Sequence, residues 1–244
     1  MSSTDIPKPD STWTRNDGSI VPGYAFGPEN AKRGLIVIQE WWGITPQILD
    51  QAKYLSESCG CKCLVPDIYR GKIGVDFEEA SHLMDNLDFV AAVEDLRGAA
   101  RYLKEEKGVS KIGVIGFCMG GALSLAVGAL AKEYVDCVVS FYGTPAAELC
   151  NLETITVPVN AHFGDKDGMV GFSDPIAVDK LKGQLAKSGV DFNVYSYESV
   201  GHAFMNNRED QRKKVEGLGF GDYKEDVAAV AWARTKVFFA KHLD

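Results

Sequence analysis

Apolar residues along the chain follow two alternating patterns: short continuous runs, and longer segments with apolar positions three or four residues apart. The short runs are typical of strands buried on both faces, and the longer spacing is typical of amphipathic helices. The predicted strands are 35–38, 62–65, 112–115, Cys137–Phe141, 157–162 and Phe192–Tyr197. The predicted helices are 45–58, 77–87, 90–106, 120–130, 175–187 and 223–241. Residues 12–26 precede them as a predicted hairpin with its turn at 16–18.

This alternation predicts an α/β fold, in which a mostly parallel, twisted sheet carries helices on both faces. The 244 residues contain no Pro-, Gly- or Ser-rich linker and no internal repeat, so residues 1–244 are expected to form one domain. Active sites of such sheets lie at the carboxyl ends of the strands. We therefore expect catalytic residues just after positions 38, 115, 163 and 197. The inner stripe of the last helix is predicted to be Val227, Val230, Ala231, Arg234, Val237 and Phe238, with Arg234 as the exception among apolar residues.

Charge and hydropathy narrow the range of partners. The formal net charge is −8, and the one short basic cluster, at 212–214, is explained by a solvated helix face. We therefore expect no binding to nucleic acid or to an anionic membrane. No apolar run reaches the roughly 18 residues of a membrane-spanning helix, and the N-terminus lacks the features of a signal peptide. The expected protein is cytoplasmic, and either a monomer or a homodimer.

The six cysteines are expected to be free thiols, because nothing points to secretion. Cys59, Cys61 and Cys63 are spaced one residue apart, whereas structural zinc sites space their ligands more widely and need a second pair. No metal site is therefore predicted.

The most informative segment contains Gly116, Cys118, Gly120 and Gly121 between a predicted strand and a predicted helix. A nucleophile on a sharp strand-to-helix turn needs very small neighbours, and the helix N-terminus behind it favours a thiolate. Two alternatives stay open: a buried structural cysteine, or a dinucleotide-binding loop. The second requires glycine where Cys118 stands, because the backbone must approach a pyrophosphate there.

A thiol nucleophile needs a histidine, and the histidine needs an acid. His202 follows a strand in a loop after Gly201 and is the best candidate, whereas His162, within a predicted strand, is better explained by packing. Asp165 and Asp167 both follow the preceding strand. Asp167 is preferred because its Gly-x-x-Asp-x-x-Val spacing is seen in α/β-hydrolases, and Asp165 is explained as a turn residue.

An acyl-transfer site also needs two N–H donors for the oxyanion. One donor comes from the residue after the nucleophile, here Met119, and the other from the loop after an early strand, here Trp41. Of Trp41 and Trp42, at least one is expected to be a core aromatic.

Taken together, these motifs resemble the dienelactone hydrolase (carboxymethylenebutenolidase) family. The resemblance spans residues 35 to 206 and implies the α/β-hydrolase fold. It also implies a catalytic role for Glu40, which in the family contacts the resting thiol. Residues in or beside the shared motifs are expected to bind substrate: Tyr69, Tyr142, Phe204 and Asn206.

Two arginines that bind the substrate carboxylate in well-known members are missing here. The expected positions, near Phe77 and near Asn206, hold none, although Arg70 or Arg208 could compensate. The sequence thus predicts a hydrolase of a small ester or lactone that uses a Cys118, Asp167 and His202 triad, a thioester intermediate and no cofactor. A non-catalytic small-molecule-binding protein on the same scaffold, and less favourably a thiol-redox enzyme, are the alternatives.

Overall fold

The computed structural model describes residues 6–215, 217–220 and 223–244. Eight strands form one sheet in the order β1-β2-β4-β3-β5-β6-β7-β8. Their bounds are β1 Ser11–Thr14, β2 Ile20–Phe26, β3 Arg33–Ile38, β4 Lys62–Pro66, β5 Lys111–Phe117, β6 Cys137–Phe141, β7 Val159–Gly164 and β8 Phe192–Tyr197. The β1–β2 and β2–β4 pairs are antiparallel, and all the other pairs are parallel. The predicted hairpin and the mostly parallel α/β sheet are confirmed.

The helices are α1 Pro46–Cys59, α2 Phe77–Asp85, α3 Phe89–Glu105, α4 Met119–Leu130, α5 Pro175–Ser188, α6 Glu209–Val215 and α7 Glu225–Leu243. They cover both faces of the sheet, as neighbouring residues of the central strands demonstrate. A side chain at Gly113 of β5 would meet Phe239 in α7, whereas Val138, paired with the next residue of β5, lies against Gly128 in α4. Because successive strand residues point to opposite faces, α7 and α4 lie on opposite sides of the sheet.

Local sequence signals set the ends of several helices. Asp76, Asp88 and Asp174 each accept a hydrogen bond from a backbone N–H in the first turn of α2, α3 and α5. Thr45 occupies the N-cap position of α1, but its side chain makes no capping bond. Gly60 ends α1 in the left-handed conformation, with φ 62°, which suits glycine because it has no Cβ.

Two predictions about the last third of the chain are only partly right, although Ala231 and Phe238 are buried in α7 as predicted. The buried stripe of α7 consists of Ala228, Ala231, Thr235, Phe238, Phe239 and Leu243, whereas Val230 and Val237 are exposed. The basic cluster at 212–214 lies on helix α6, in line with the predicted helix face, but its Lys214 is not simply solvated. The Lys214 ammonium lies 5.0 Å from the Trp42 ring centre and donates a 3.0 Å hydrogen bond to the Gly74 carbonyl. Apolar surface under α6 explains the position of this lysine.

Among the described residues, no helix has the length and apolar character needed to cross a membrane. Within the same ranges, no group of three or more His, Cys, Asp or Glu side chains is arranged to hold a metal ion.

Candidate active site

Cys118 occupies a sharp turn between the last residue of β5 and the first residue of α4. Its backbone has φ 54° and ψ −118°, a strained conformation for a residue with a side chain. The Cys118 N–H donates to the Phe141 carbonyl over 3.0 Å, which ties the turn to β6. The side chain retains only slight exposure. The turn therefore holds the thiol at the carboxyl edge of the sheet, where sequence analysis expected it.

The positions on either side of the thiol require glycine, because other backbone segments pass very close to them. A Cβ at Gly116 would overlap the Gly120 carbonyl, and a Cβ at Gly120 would overlap the Ile38 carbonyl. In both cases the obstacle is backbone, which cannot rotate away as a side chain could. A buried structural cysteine would not require this arrangement, so the glycines favour the nucleophile interpretation.

His202 and Asp167 form the second part of the site. His202 Nδ1 lies 2.8 Å from Asp167 Oδ2, and both side chains are almost completely buried. The hydroxyl of Ser173 lies 3.1 Å from the same nitrogen. Asp167 Oδ1 accepts a hydrogen bond from the Met169 N–H, which fixes the carboxylate. These contacts assign the Nδ1 proton to the Asp167 side and leave Nε2 for chemistry.

The competing carboxylate has a different role. Asp165 accepts a hydrogen bond from the Ser199 N–H over 2.7 Å and pairs with Lys166 at the surface. It fastens the turn after β7 to the loop that precedes His202. The structure therefore places Asp167 against the imidazole, and Asp165 in the turn.

The pKa of His202 is set by influences of opposite sign. Burial lowers its pKa, but the negative charge of Cys118 and the hydrogen bond to Asp167 outweigh burial and raise the pKa to about 10. Cys118 is thus near enough for its charge to act on the ring. Nε2 is buried and makes no hydrogen bond of ordinary length among the described residues, but the Cys118 side chain lies near enough to raise the pKa of His202 as a hydrogen-bonding partner as well as through its charge. A buried nitrogen beside a thiol is arranged to exchange a proton.

Glu40 lies close to the triad, but its hydrogen bonds run to other groups. Both carboxylate oxygens accept hydrogen bonds from Asn206 Nδ2, Oε1 at 3.2 Å and Oε2 at 3.0 Å. Oε1 also accepts one from the Tyr142 hydroxyl at 3.3 Å. Burial raises the pKa of Glu40, although the bonds from Asn206 and the charge of His202 oppose the increase. Within the described residues no hydrogen bond joins Glu40 to Cys118. The contact between Glu40 and the resting thiol that the family resemblance implied stays a prediction.

The two predicted oxyanion donors are the backbone N–H groups of Met119 and Trp41. Met119 begins α4, where the first N–H groups have no partner inside the helix. Trp41 lies in the turn after β3, where the Gly43 N–H bonds to the Glu40 carbonyl. In the part of the chain that the structure describes, neither the Met119 nor the Trp41 N–H donates to a protein acceptor. Both groups are therefore available to a substrate oxygen.

The predicted substrate-binding residues divide into two groups. Tyr69 retains slight exposure, and its hydroxyl donates to the Met119 sulfur over 3.3 Å. Tyr142 and Phe204 are completely buried, with ring centres 5.4 Å apart, and so offer no surface to a ligand in this structure. Asn206 is equally buried and holds Glu40. These three side chains therefore pack against their neighbours in this structure, and substrate contact by them stays a prediction.

Three further residues at the site were not found from the sequence. Ser173 bonds His202, while Phe220 and Phe172 place ring centres 5.0 and 6.1 Å from its imidazole. None of the three belongs to a strand-end motif, so no spacing signal marked them.

The two arginines proposed as substitutes for carboxylate binding are held elsewhere. Arg70 pairs with Asp95 at 2.8 Å, and Arg208 pairs with Asp50 at 2.8 Å and with Asp210 at 3.0 Å. Their ion pairs make neither of them an obvious anchor for an anionic substrate.

Comparison with known proteins settles the family. Residues 21–243 match the family model of the dienelactone hydrolase family. The chain belongs to the dienelactone hydrolase family. This family member is 32% identical over 240 residues to the protein usf of Aquifex pyrophilus, covering 93% of this chain and 96% of that protein. It is 30% identical over 199 residues to the carboxymethylenebutenolidase of Pseudomonas putida, covering 75% of this chain and 81% of that protein.

Structural comparison agrees with the family assignment. The solved structure of m3DLH superposes with a TM-score of 0.81 at 22% sequence identity, covering 96% of this chain and 97% of that one. The predicted α/β-hydrolase fold is therefore confirmed. This family member is a carboxylic ester or lactone hydrolase.

Proposed function

We propose that the protein hydrolyses a small ester or lactone through a covalent thioester on Cys118, with His202 as the proton carrier and Asp167 as its positioning residue. One observation supports this most strongly. His202 is fixed by a 2.8 Å hydrogen bond from Nδ1 to Asp167, while its buried Nε2 makes no hydrogen bond of ordinary length among the described residues. The pKa of His202 also responds to the charge of Cys118.

The reaction has two halves. The Cys118 thiolate attacks the carbonyl carbon, and the negative charge moves to the carbonyl oxygen, where the Met119 and Trp41 N–H groups stabilise it. The tetrahedral intermediate collapses, the protonated His202 gives its Nε2 proton to the departing alkoxide, and a thioester remains. His202 then takes a proton from water as the water attacks the thioester. Collapse of the second intermediate returns the thiolate and releases the acid.

The two remaining site residues have supporting tasks. Asp167 keeps the proton on Nδ1 and stabilises the imidazolium, as the acid of a catalytic triad does. Glu40 places a buried carboxyl near His202, held by Asn206 and Tyr142, and we propose that it acts on the thiol when substrate binding changes these contacts. No cofactor takes part in the proposed reaction.

The direct test is turnover of p-nitrophenyl acetate by the wild type and by Cys118→Ala. We expect kcat/KM to fall about 10⁴-fold or more in the variant, because nothing else supplies the nucleophile. Cys150→Ala removes another buried free thiol and should keep kcat/KM within about threefold, as expected for a residue outside the site. Undiminished turnover by Cys118→Ala would contradict the proposal.

We further propose that residues 1–244 act as one catalytic domain in the cytoplasm, as a monomer or a homodimer. All six cysteines are free thiols in the structure, which suits a reducing compartment.

A further inference from the structure

An apolar cleft of about 520 Å³ opens directly beside the nucleophile turn. It lies between the connection from α2 to α3, the first turn of α4 and the segment that follows β6. Its walls are mainly apolar side chains, among them Met84, Leu87, Phe89, Met119, Leu149 and Phe172. The catalytic steps proposed above make no use of this space.

The cleft adjoins the catalytic residues at one end. Met119 directly follows Cys118 in the chain, and Ala122, one turn further along α4, also lines the cleft. Phe172 lines it too and places its ring centre 6.1 Å from that of His202. Cys118 itself does not line the cleft, but the residue that follows it and a ring close to His202 both do, which places the cleft next to the proposed reacting groups.

The side of the nucleophile on which the cleft lies identifies the part of the substrate that fits there. The leaving oxygen must face His202, which donates its proton. The cleft is lined by Met119, whose N–H is the proposed donor to the carbonyl oxygen, and by Ala122; His202 does not line it, although Phe172 brings one wall close to the imidazole. The acyl group, which stays on sulfur after the alcohol departs, is therefore the part directed into the cleft.

The charges at the cleft limit the chemistry of this acyl group. Among its described lining residues, the charged ones are Asp88 and Glu148, both acidic. Neither Arg70 nor Arg208 lines it, and both are engaged in ion pairs. An anionic acyl group would thus meet negative charge and no compensating cation, whereas a neutral hydrocarbon chain gains from burial.

We propose that this cleft is an acyl-binding site that selects esters of neutral, apolar acids of medium chain length. The proposal rests on the thioester mechanism above and adds a substrate class to it. A hydrolase of anionic dienelactones is expected to offer positive charge to its substrate. The cleft of this chain instead has hydrocarbon walls and two carboxylates.

The test compares two ester series on the wild-type enzyme. In the first, p-nitrophenyl is constant and the acyl chain grows from acetyl to butanoyl to hexanoyl. We expect kcat/KM to rise about two- to fourfold for each added methylene, as expected for a chain entering a partly open apolar cleft. In the second, acetate is constant and the alcohol grows from methyl to butyl to hexyl, followed by pH-stat titration. Here we expect less than a threefold change across the series.

A matched pair of variants locates the effect. Ala146 and Ala147 are both exposed and both line a neighbouring pocket, but of the two only Ala146 also lines the cleft. Ala146→Trp should abolish the gain on lengthening the acyl chain while leaving acetyl turnover within about threefold, and Ala147→Trp should keep the gain. Glu148→Lys should raise kcat/KM for the mono-p-nitrophenyl ester of glutaric acid about three- to tenfold relative to the butanoyl ester.

The outcomes are distinguishable. A flat acyl series with clear turnover, a rise confined to the alcohol series, or an unchanged acyl gain in Ala146→Trp would each overturn the acyl site and leave the thioester mechanism standing. Absence of turnover with every ester, together with no acylation of Cys118, would overturn the proposed function itself and the acyl site with it.

Discussion

Two histidines of this protein are equally buried, but their pKa values are shifted in opposite directions. His162 lies on β7, where both ring nitrogens have partners: the Tyr197 hydroxyl 2.8 Å from Nδ1 and the Thr235 hydroxyl 3.3 Å from Nε2. Its ring stacks on Phe141 with centres 4.4 Å apart. Burial, assisted by the charge of Arg234, lowers the pKa of His162 to about 3. This side chain stays neutral and belongs to the core.

His202 has the same burial but different neighbours. Its Nδ1 bonds a carboxylate, its Nε2 makes no hydrogen bond of ordinary length among the described residues, and the charges of Cys118 and Asp167 outweigh burial. The comparison shows that burial without a nearby negative charge keeps a histidine neutral. A histidine becomes a proton carrier when one nitrogen is anchored to an acid, the other makes no ordinary hydrogen bond, and a negative charge lies within reach.

The largest expected difference comes from the same substitution at both histidines. His202→Gln should lower kcat/KM about 10³- to 10⁴-fold, because the proton carrier is lost. His162→Gln should change kcat/KM less than about threefold but reduce the free energy of unfolding by about 1–3 kcal/mol, because it disrupts a packed and hydrogen-bonded ring. Ester kinetics and urea denaturation of both variants measure the two effects. Equal losses of activity would remove the distinction between the rings.

The next difference concerns the two aspartates. Asp167→Asn should lower kcat about 10²- to 10⁴-fold, because an amide no longer holds the proton on Nδ1 of His202. Asp165→Asn is the matched control and should keep kcat within about threefold, because it only weakens a bond to the Ser199 N–H. Both variants are measured at saturating substrate. A larger loss in Asp165→Asn would mean that the wrong carboxylate has been assigned.

The pH dependence of stability should separate the histidines by sign. The pKa of His162 in the folded protein, about 3, lies below the ordinary unfolded value of about 6.5, so the unfolded chain binds the extra proton as the pH falls. Its contribution is complete above pH 6.5 and is lost towards pH 3. Between pH 7 and pH 5, the wild type should lose about 2 kcal/mol more stability than His162→Gln.

The contribution of His202 to stability changes with pH in the opposite direction. Its pKa of about 10 in the folded protein lies above the unfolded value, so its stabilising contribution is complete below about pH 6.5 and is lost as the pH rises through 10. The stability advantage of the wild type over His202→Gln should therefore shrink between pH 7 and pH 9. Urea denaturation at three pH values checks both histidines, and an advantage that grows towards pH 9 would contradict this assignment.

The smallest difference comes from the hydroxyl beside each ring. Ser173→Ala removes the second contact to Nδ1 of His202 and should lower kcat about two- to tenfold, because the imidazole is less firmly oriented. Thr235→Val removes the contact to Nε2 of His162 and should leave kcat unchanged while costing about 1 kcal/mol of stability. A kcat loss in Thr235→Val exceeding that in Ser173→Ala would be incompatible with the comparison.

Sequence patterns were sufficient for the sheet, and they also named the three residues that we propose as the triad. Strand ends are marked by turn residues, and the glycines around Cys118 record a backbone crossing that only glycine permits. His162 could be set aside because it falls inside a strand. Each of these signals is local, so it can be read without knowing the rest of the fold.

The features that were missed depend on contacts between distant segments. Apolar residues occur all around α7, so their spacing did not reveal that Ala228 and Phe239 face the sheet while Val230 and Val237 face outwards. Ser173 reaches His202 only because two loops meet at the edge of the sheet. The burial of Tyr142 likewise follows from packing against His202 and Phe204, which motif matching does not describe.

The central claim is that acyl transfer passes through the Cys118 sulfur. It is tested most directly by quenching the enzyme in acid within the first turnover of p-nitrophenyl acetate and measuring the masses of its peptides. We expect the acetyl group on the peptide that carries Cys118, in an amount that matches the burst of p-nitrophenol, and on none of the other five cysteines. Turnover without any acetylated Cys118 peptide would contradict the account.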